Sequence, residues 1–299
     1  MQAFIQNLIN GLALGGVYAL VALGYTMVYG ILQFINFAHS EIFMLGAFAG
    51  LFVAVALQDV GSTPVVVTAV VFASMAACMA VGALVERLAY RPLRSAPRLN
   101  VLITAVGVSL LLQNAAQILW GATPRVFPTI LETQPLWQGT ELVLTNVQLI
   151  VIVVSAVLVF GLSILVNRTK LGMAMRAVSF DFDVSSLMGI PTDRIIVFTF
   201  MIGCSLAGCA SILYGISYPK IEPMMGVVIG MKAFVAAVFG GIGSLTGAAV
   251  GGLVLGLSES FTIYYVSSTF RDAIAFAILI LVLLLRPSGL FGVVRKEKV

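Results

Sequence analysis

The chain has 299 residues, of which 61% are hydrophobic and 9% charged, with a formal net charge of +4. A soluble domain carries about 25% charged residues, so this composition, with a mean hydropathy of +1.11, excludes an ordinary water-soluble globule. The sequence predicts a polytopic integral membrane protein. Its small positive charge is better explained by loop topology than by binding to nucleic acid.

Long apolar segments recur along the chain and predict an all-α fold. A membrane-spanning helix needs about 20 apolar residues, and several segments here are shorter or interrupted by glycine. We therefore predict eight or nine transmembrane or re-entrant segments within a single domain of residues 1–299. Their approximate bounds are 8–31, 42–58, 64–85, 99–119, 147–166, 195–217, 227–243, 245–265 and 271–286.

The interruption after the first segment contains Asn36, His39 and Glu41. If residues 36–45 were helical, Asn36 and His39 would share a face and Glu41 would point elsewhere. A zinc site needs three or four ligands, and nucleophilic catalysis needs a base with an orienting partner. The only histidine of the chain, with no cysteine near it, supports neither.

Two interpretations of this stretch remain open: a polar helix end near the membrane interface, and a polar part of a translocation path. An acid deep in the bilayer costs about 2.5–3.5 kcal/mol on insertion scales. We therefore expect Glu41 near the interface or in a cavity lined by protein.

The loops differ in charge, which predicts the side of the membrane on which each lies. Residues 86–98 carry four arginines and one acid, residues 167–194 carry four bases and three acids, and a basic tail follows the last segment. Residues 120–146 carry one arginine and two acids, with a tryptophan near each end of the charged part. Because cytoplasmic loops are enriched in Lys and Arg, residues 86–98, residues 167–194 and the tail are expected in the cytoplasm and residues 120–146 outside. The 31–41 region then lies towards the cytoplasm and the N-terminus outside.

The loop at 167–194 is predicted to hold a short helix. Asp183 to Met188 could be helical, and Gly189-Ile190-Pro191 would end the helix. Such a helix is a suitable docking element for a partner protein, although an ordinary solvated loop is the alternative.

A glycine-rich stretch separates the two segments near the C-terminus. Gly240, Gly241 and Gly243 can open the backbone where a helix must break. The segments on either side are predicted to form a tight helical hairpin or a re-entrant pair. The following pairs, Gly247 with Gly251 and Gly252 with Gly256, have the spacing that lets helices approach closely. The stretch serves packing or lines a translocation path.

Two charged residues, Lys232 and Glu259, fall inside apolar segments. They are candidates for an ion pair or for a pathway, and snorkelling to an interface is the alternative. The sequence does not pair them with each other. The cysteines at 78, 204 and 209 lie in apolar runs without metal-ligand spacing, so we predict buried small side chains and no metal site.

No phosphate-binding loop with the spacing G-x-x-x-x-G-K-[ST] occurs in the sequence. The nearest string, residues 226–233, lacks the second glycine at the required spacing and the hydroxyl residue. We therefore predict that the chain neither binds nor hydrolyses nucleotide, that it is not an enzyme, and that it needs no cofactor.

Three stretches resemble one family of bacterial transporters. GLALGGVYALVALGYTMVYGILQFINFAHSEIFMLGAF at 11–48, RTKLGMAMRAVSFDFDVSSLMGI at 168–190 and KAFVAAVFGGIGSLTGAAVGGLVLGLSE at 232–259 are similar to LivH-type permeases of branched-chain amino-acid ABC transporters. The similarity runs along the whole chain. One departure is Ser40, where the family usually has glycine after the histidine.

The resemblance implies a multi-pass permease of the bacterial inner membrane that imports leucine, isoleucine and valine. Its partners would be a LivM-like second permease, two LivG/LivF-like ATP-binding subunits, a periplasmic substrate-binding protein and the lipid membrane.

The resemblance also implies a coupling helix at residues 181–191, which would dock on the ATPases. ABC importers often carry an E-A-A-x-x-x-G loop there, and this chain matches it only at Asp183 and Gly189. Arg176, Asp183, Ser186 and Gly189 are the residues expected to take part in coupling. Asn36, His39, Glu41, Gly240, Gly241 and Gly243 are expected in the translocation path or in helix breaks.

Other functions remain possible at this level. A urea or short-amide permease of the same family would have the same machinery. A stand-alone secondary transporter or channel would need coupling sites within the membrane and would work without ATPases. A membrane-embedded enzyme is disfavoured because no catalytic constellation is visible.

Overall fold

The computed structural model describes residues 2–58, 63–94, 96–138 and 143–292. The helices are α1 (Gln2–Leu32), α2 (His39–Ala56), α3 (Thr63–Val85), α4 (Arg98–Trp120), α5 (Asn146–Arg168), α6 (Lys170–Phe180), α7 (Phe182–Leu187), α8 (Thr192–Ser217), α9 (Met225–Gly240), α10 (Leu245–Tyr265) and α11 (Arg271–Leu285). A π-turn at Glu86–Tyr90 and a 3-10 turn at Arg91–Leu93 prolong α3, and a 3-10 turn at Ser268–Phe270 precedes α11. The basic tail, with Arg295, Lys296 and Lys298, lies outside the described residues.

Within the described ranges, eight helices are long and apolar enough to cross a membrane, and α9 is a shorter apolar helix of 16 residues. Each of the nine predicted segments coincides with one of these helices. The prediction of an all-α, polytopic membrane fold is therefore confirmed. Four short strands in the loops were not predicted: β1 (Arg125–Val126), β2 (Pro135–Gln138), β3 (Val143–Thr145) and β4 (Lys220–Ile221).

The helices form layers around α1 and α8. In the most apolar 18-residue window of each helix, 89% of α1 and 78% of α8 is buried, compared with 17% of α5 and 6% of α11. Large apolar side chains such as Leu111, Phe160 and Leu284 are exposed on the outer helices. Such side chains on a spanning helix face lipid or other helices. The mostly buried α1 and α8 therefore form the core of the subunit.

Glycine allows α10 to pack closely on both of its neighbours. Gly252 and Gly256 face α1, and a Cβ on Gly252 would collide with Ala19. Gly247 and Gly251 face α9, where added Cβ atoms would collide with backbone carbonyls. Both predicted glycine pairs therefore lie in helix contacts, one on each side of α10.

The loops fall into two groups, at opposite ends of the helix bundle. Arg91 and Arg94 form ion pairs with Asp193, which joins loop 86–98 to the end of loop 167–194. At the other end, β1 pairs with β4, and β2 pairs with β3. The Val143 amide donates to Gln6 at the N-terminus over 2.8 Å. This grouping is the one that the charge pattern predicts for cytoplasmic and external loops.

Candidate functional site

The first helix break is formed by residues 33–38, between α1 and α2. Gln33 adopts a left-handed conformation with φ of 54°, and the next helix begins only at His39. A helix that starts at residue 36 is therefore excluded, and α2 begins three residues before the predicted segment 42–58. The side chain of Asn36 is turned away to accept a 2.6 Å hydrogen bond from the Tyr90 hydroxyl.

His39 is fully buried between helices. Its imidazole packs against Gly24 of α1, where any Cβ would collide with it, and the Gly24 site also abuts the Gly203 carbonyl of α8. The Tyr25 ring meets it edge to face, with 4.8 Å between ring centres. Asn36 and His39 thus attach the start of α2 to α1, α3 and α8. They are not on a shared helical face as predicted.

Glu41, in the first turn of α2, is also fully buried. Its Oε1 lies 3.4 Å from the hydroxyls of Ser40 and Ser109, and its Oε2 has no hydrogen-bond partner among the described residues. Ser109 lies midway along α4, so the carboxyl group is deep in the bundle. Two locations were expected for Glu41, near the interface or in surroundings lined by protein. The structure shows Glu41 in surroundings lined by protein.

The first turn of α9 lies directly against this carboxyl group. A Cβ added to Gly226 would lie 2.6 Å from the Ser40 carbonyl and 2.8 Å from Glu41 Oε2. Gly230, one turn later, faces the Ser40 side chain. Two glycines therefore bring the N-terminal end of α9 into contact with the N-terminal end of α2.

A polar stripe on α4 leads away from this contact. Ser109, Gln113 and Gln117 follow one another at four-residue intervals and so lie on one helical face. The Gln113 amide donates over 2.8 Å and the Gln117 amide over 3.4 Å to the sulfur of Met224, which precedes α9. The stripe ends near Trp120, at the end of the bundle that carries the four strands.

The structure pairs the two charges that the sequence left unpaired. Lys232 Nζ donates to Glu259 Oε1 over 2.8 Å and lies 2.8 Å from Asp272. The Tyr18 hydroxyl donates to Glu259 Oε2 over 2.8 Å, and Arg271 lies 3.3 Å from Oε1. Lys232 is 4% and Glu259 2% exposed, so the two residues form a buried ion pair and do not snorkel.

The glycine-rich turn joins α9 to α10 in a tight helical hairpin. Gly240 ends α9, and Gly241 and Gly243 have φ values of 102° and 95°. A side chain is strained in this left-handed region. Ser244 caps α10 by accepting from the Gly247 amide over 3.1 Å. The turn is held by the chain after α11, whose residue 291 amide donates to the Gly240 carbonyl.

A cavity of about 640 Å³ opens beside this turn, at the end of the bundle that carries loop 167–194. Arg176 of α6 lines it and also donates to the backbone carbonyl of Val166. Thr26, Ser179, Gly243 and Ser244 are further lining residues.

The loop at 167–194 contains the short helix that the sequence predicts. Helix α7 starts at the Asp181 cap, whose carboxyl accepts from the Val184 amide over 2.9 Å. Gly189, with φ of 81°, ends it, and the Ile190 amide donates to the Ser185 carbonyl. The helix α6 before it was not predicted. Asp183 and Ser186 are exposed on α7, whereas Ser185 is buried.

The ends of α6 and α7 expose large apolar side chains to the aqueous side of the loop. Phe180 is 84%, Leu187 87% and Met188 77% exposed. Exposed apolar side chains that gather in one patch are a common feature of interaction surfaces.

The three cysteines are buried and free, as predicted. No group of three His, Cys, Asp or Glu side chains is placed to hold a metal ion within the described ranges.

Comparison with known proteins identifies the family. Residues 7–283 match the family model described as branched-chain amino acid transport system, permease component. The chain is 42% identical over 302 residues to the high-affinity branched-chain amino acid transport system permease protein BraD of Pseudomonas aeruginosa, covering 99% of this chain and 98% of that one. It is 40% identical over 303 residues to LivH of Escherichia coli, with the same coverage.

A more distant relative is the probable branched-chain amino acid transport permease protein LivH of Methanocaldococcus jannaschii. It is 28% identical over 292 residues, which are 92% of this chain and 88% of that one. The chain therefore belongs to the family of branched-chain amino acid transport system permease components and is a multi-pass membrane transport protein.

Proposed function

We propose that this chain is the permease subunit of an ATP-driven importer of leucine, isoleucine and valine in a bacterial inner membrane. The observation that carries the proposal is 40–42% identity over nearly the whole chain to permeases named for this transport. The proposed partners are a LivM-like second permease, two LivG/LivF-like ATPase subunits and a periplasmic binding protein. Residues 1–299 act as one permease domain.

The exposed apolar side chains around α7 support coupling to ATPases at this loop. The helix is fixed at both ends, by the Asp181 cap and by the turn at Gly189. A short helix fixed in this way transmits a displacement to the bundle, because α6 packs on α1 and α8. We propose residues 181–191 as the coupling helix, with Asp183, Ser186 and Gly189 at the docking surface and Arg176 in α6 behind it.

Import then follows alternating access. ATP draws the ATPase subunits together, and the coupling helices move the two permeases to an outward-open state that receives substrate from the binding protein. Hydrolysis returns them to an inward-open state. Of the residues predicted for the path, we propose Glu41 as the one that faces substrate. Asn36 and His39 hold the break after α1, and Gly240, Gly241 and Gly243 form the hinge between α9 and α10.

Reconstitution tests this function. The chain is placed in proteoliposomes with its partner permease, the two ATPase subunits and the binding protein, and uptake of labelled leucine is measured with ATP inside. We expect uptake that requires both ATP and the binding protein, competed by isoleucine and valine but not by urea or acetamide. Uptake by this chain alone, without the ATPases, would instead indicate a secondary transporter or channel.

The coupling helix has its own prediction. Gly189→Trp places a bulky side chain at a left-handed residue beside α7, so ATPase docking and leucine uptake should fall at least tenfold while membrane insertion is kept. Gly161→Trp is the matched control, because a Cβ at either glycine meets nothing within 4 Å, and Gly161 lies within α5, outside the loop. Co-purification of the ATPase subunits is the measurement, and normal assembly and uptake with Gly189→Trp would exclude this coupling helix.

A further inference from the structure

Three acidic side chains are fully buried in the described ranges, and they differ in whether a base lies beside them. Glu86 pairs with Arg94, and Glu259 pairs with Lys232. Glu41 is as deeply buried as these two, yet none of its contacts is to a base. Its hydrogen bonds are two long contacts to hydroxyl groups, and Oε2 has none.

A buried carboxyl group without a cationic partner is costly, since removing it from water costs several kcal/mol. Part of this cost is offset by helix ends. Glu41 lies in the first turn of α2 and faces the first turn of α9 through Gly226, and the N-terminal end of a helix is positive. Oε2, the oxygen next to Gly226, still accepts no hydrogen bond within the described residues, so a donor that is not part of the chain could bind it once α9 moves away.

We propose that Glu41 holds the α-amino group of the transported amino acid, and that the first turn of α9 receives its carboxylate. This inference rests on the proposed function. An ammonium group supplies three N–H donors and the missing positive charge. The first N–H groups of a helix have no intrahelical partner and bind anions, so the two elements together complement a zwitterion.

The polar stripe on α4 supplies the route from outside. Gln117, Gln113 and Ser109 are one turn apart, about 6 Å along the helix axis at each step, and descend from the end near Trp120 to Glu41. They offer successive hydrogen-bonding groups to a charged head group in an apolar bundle. In this structure the site is closed, because Gly226 and Gly230 keep α9 against Ser40. Entry of substrate requires the first turn of α9 to move away from α2.

The test is direct binding to the complete transporter in lipid nanodiscs, without the binding protein, so that its specificity does not mask that of the permease. Glu41→Gln keeps the size of the side chain and removes the charge, and should weaken labelled leucine binding at least tenfold. Glu132→Gln, which changes an exposed acid of the loop at 120–146, should leave binding unchanged.

Two analogues identify the group that Glu41 holds. Leucinamide keeps the ammonium group and lacks the carboxylate, whereas 4-methylpentanoate keeps the carboxylate and lacks the ammonium group. Leucinamide should compete in the wild type and lose its affinity in Glu41→Gln. The affinity for 4-methylpentanoate should not fall. Equal leucine affinities in the wild type and the variant, or an equal loss for both analogues, would overturn the inference.

A second variant covers the case in which Glu41→Gln does not assemble. Ser109→Ala removes only one hydroxyl next to the carboxyl group and should weaken leucine binding about threefold, and unchanged binding would count against the site. ATP-driven leucine uptake by the wild-type complex is measured in parallel. Normal wild-type uptake together with unchanged leucine binding by the variants would refute only the site. Absence of wild-type uptake would refute the proposed function and the leucine site together.

Discussion

Glu259 and Glu41 are both buried carboxyl groups in apolar helices, and the protein gives them opposite surroundings. Glu259 is held by Lys232, Arg271 and the Tyr18 hydroxyl, in a network that connects α1, α9, α10 and α11. Glu41 has two long hydroxyl contacts and a free oxygen. The first carboxylate has its counter-charge within the chain, so its role is structural. The second lacks one, which is what a site for a cationic group requires.

The comparison also separates two uses of the short helix α9. Lys232, at its middle, fixes it to α10 and α11, whereas its first turn meets Ser40 and Glu41 only through glycine backbone. A contact to which α9 contributes only glycines can open and close without breaking ion pairs. The ion-paired middle and the closely packed start without ion pairs are therefore suited to a helix that moves at one end.

The largest change in stability is expected for Lys232→Met. The half-exposed Arg271 is then the one base that remains beside the buried Glu259. Removing one partner of a buried ion pair costs about 3 kcal/mol or more. The free energy of unfolding in SDS is the measurement. Lys220→Met is the matched control, because it breaks the exposed pair with Glu222 and should cost less than about 1 kcal/mol.

The double variant Lys232→Met with Glu259→Gln should recover most of that loss, since no buried charge then lacks a partner. Equal stability of Lys232→Met and Lys220→Met would show that the buried network is not structural, and the contrast between the two carboxylates would be lost.

A smaller loss is expected for Tyr18→Phe, which removes the hydroxyl donor to Glu259 and keeps the ring. Hydrogen bonds to charged groups contribute about 2 kcal/mol, and the same unfolding measurement applies. Tyr264→Phe, on an exposed ring of α10, should be neutral. A neutral Tyr18→Phe would mean that the lysine alone satisfies Glu259.

The smallest change in stability is expected for Ser109→Lys, which brings a cation within reach of Glu41 from the middle of α4. The cost of desolvating the added lysine offsets its attraction to the buried Glu41, so the free energy of unfolding should change by less than about 1 kcal/mol. Leucine binding should nevertheless fall at least tenfold, because the lysine occupies the place of the substrate amino group. Ser109→Met, which adds similar bulk without charge, should weaken binding less, and equal effects of the two variants would show that bulk alone is responsible.

Much of the architecture could be predicted because it depends on local properties of the chain. Apolar length predicts eight or nine segments, and loop charge predicts which loops lie together. The short helix α7 is predicted from Asp183 at its start and Gly189 after its end. The glycine spacing at 247–256 predicts close packing. The structure of the break before α2 could not be predicted, because the side chain of Asn36 is bonded to Tyr90, 54 residues further along the chain.

Membership of a membrane bundle, the order of its apolar segments and the position of the short helix in loop 167–194 follow from composition and spacing, since each reflects a preference of a short segment for lipid, water or a turn. Which charges meet across the bundle was decided only by the tertiary structure. Lys232 reaches Glu259 and Glu41 reaches no base because of the rotation and depth of α2, α4, α9 and α10. The rotation and depth of each helix are set by packing among all the helices, so they cannot be predicted from any single segment.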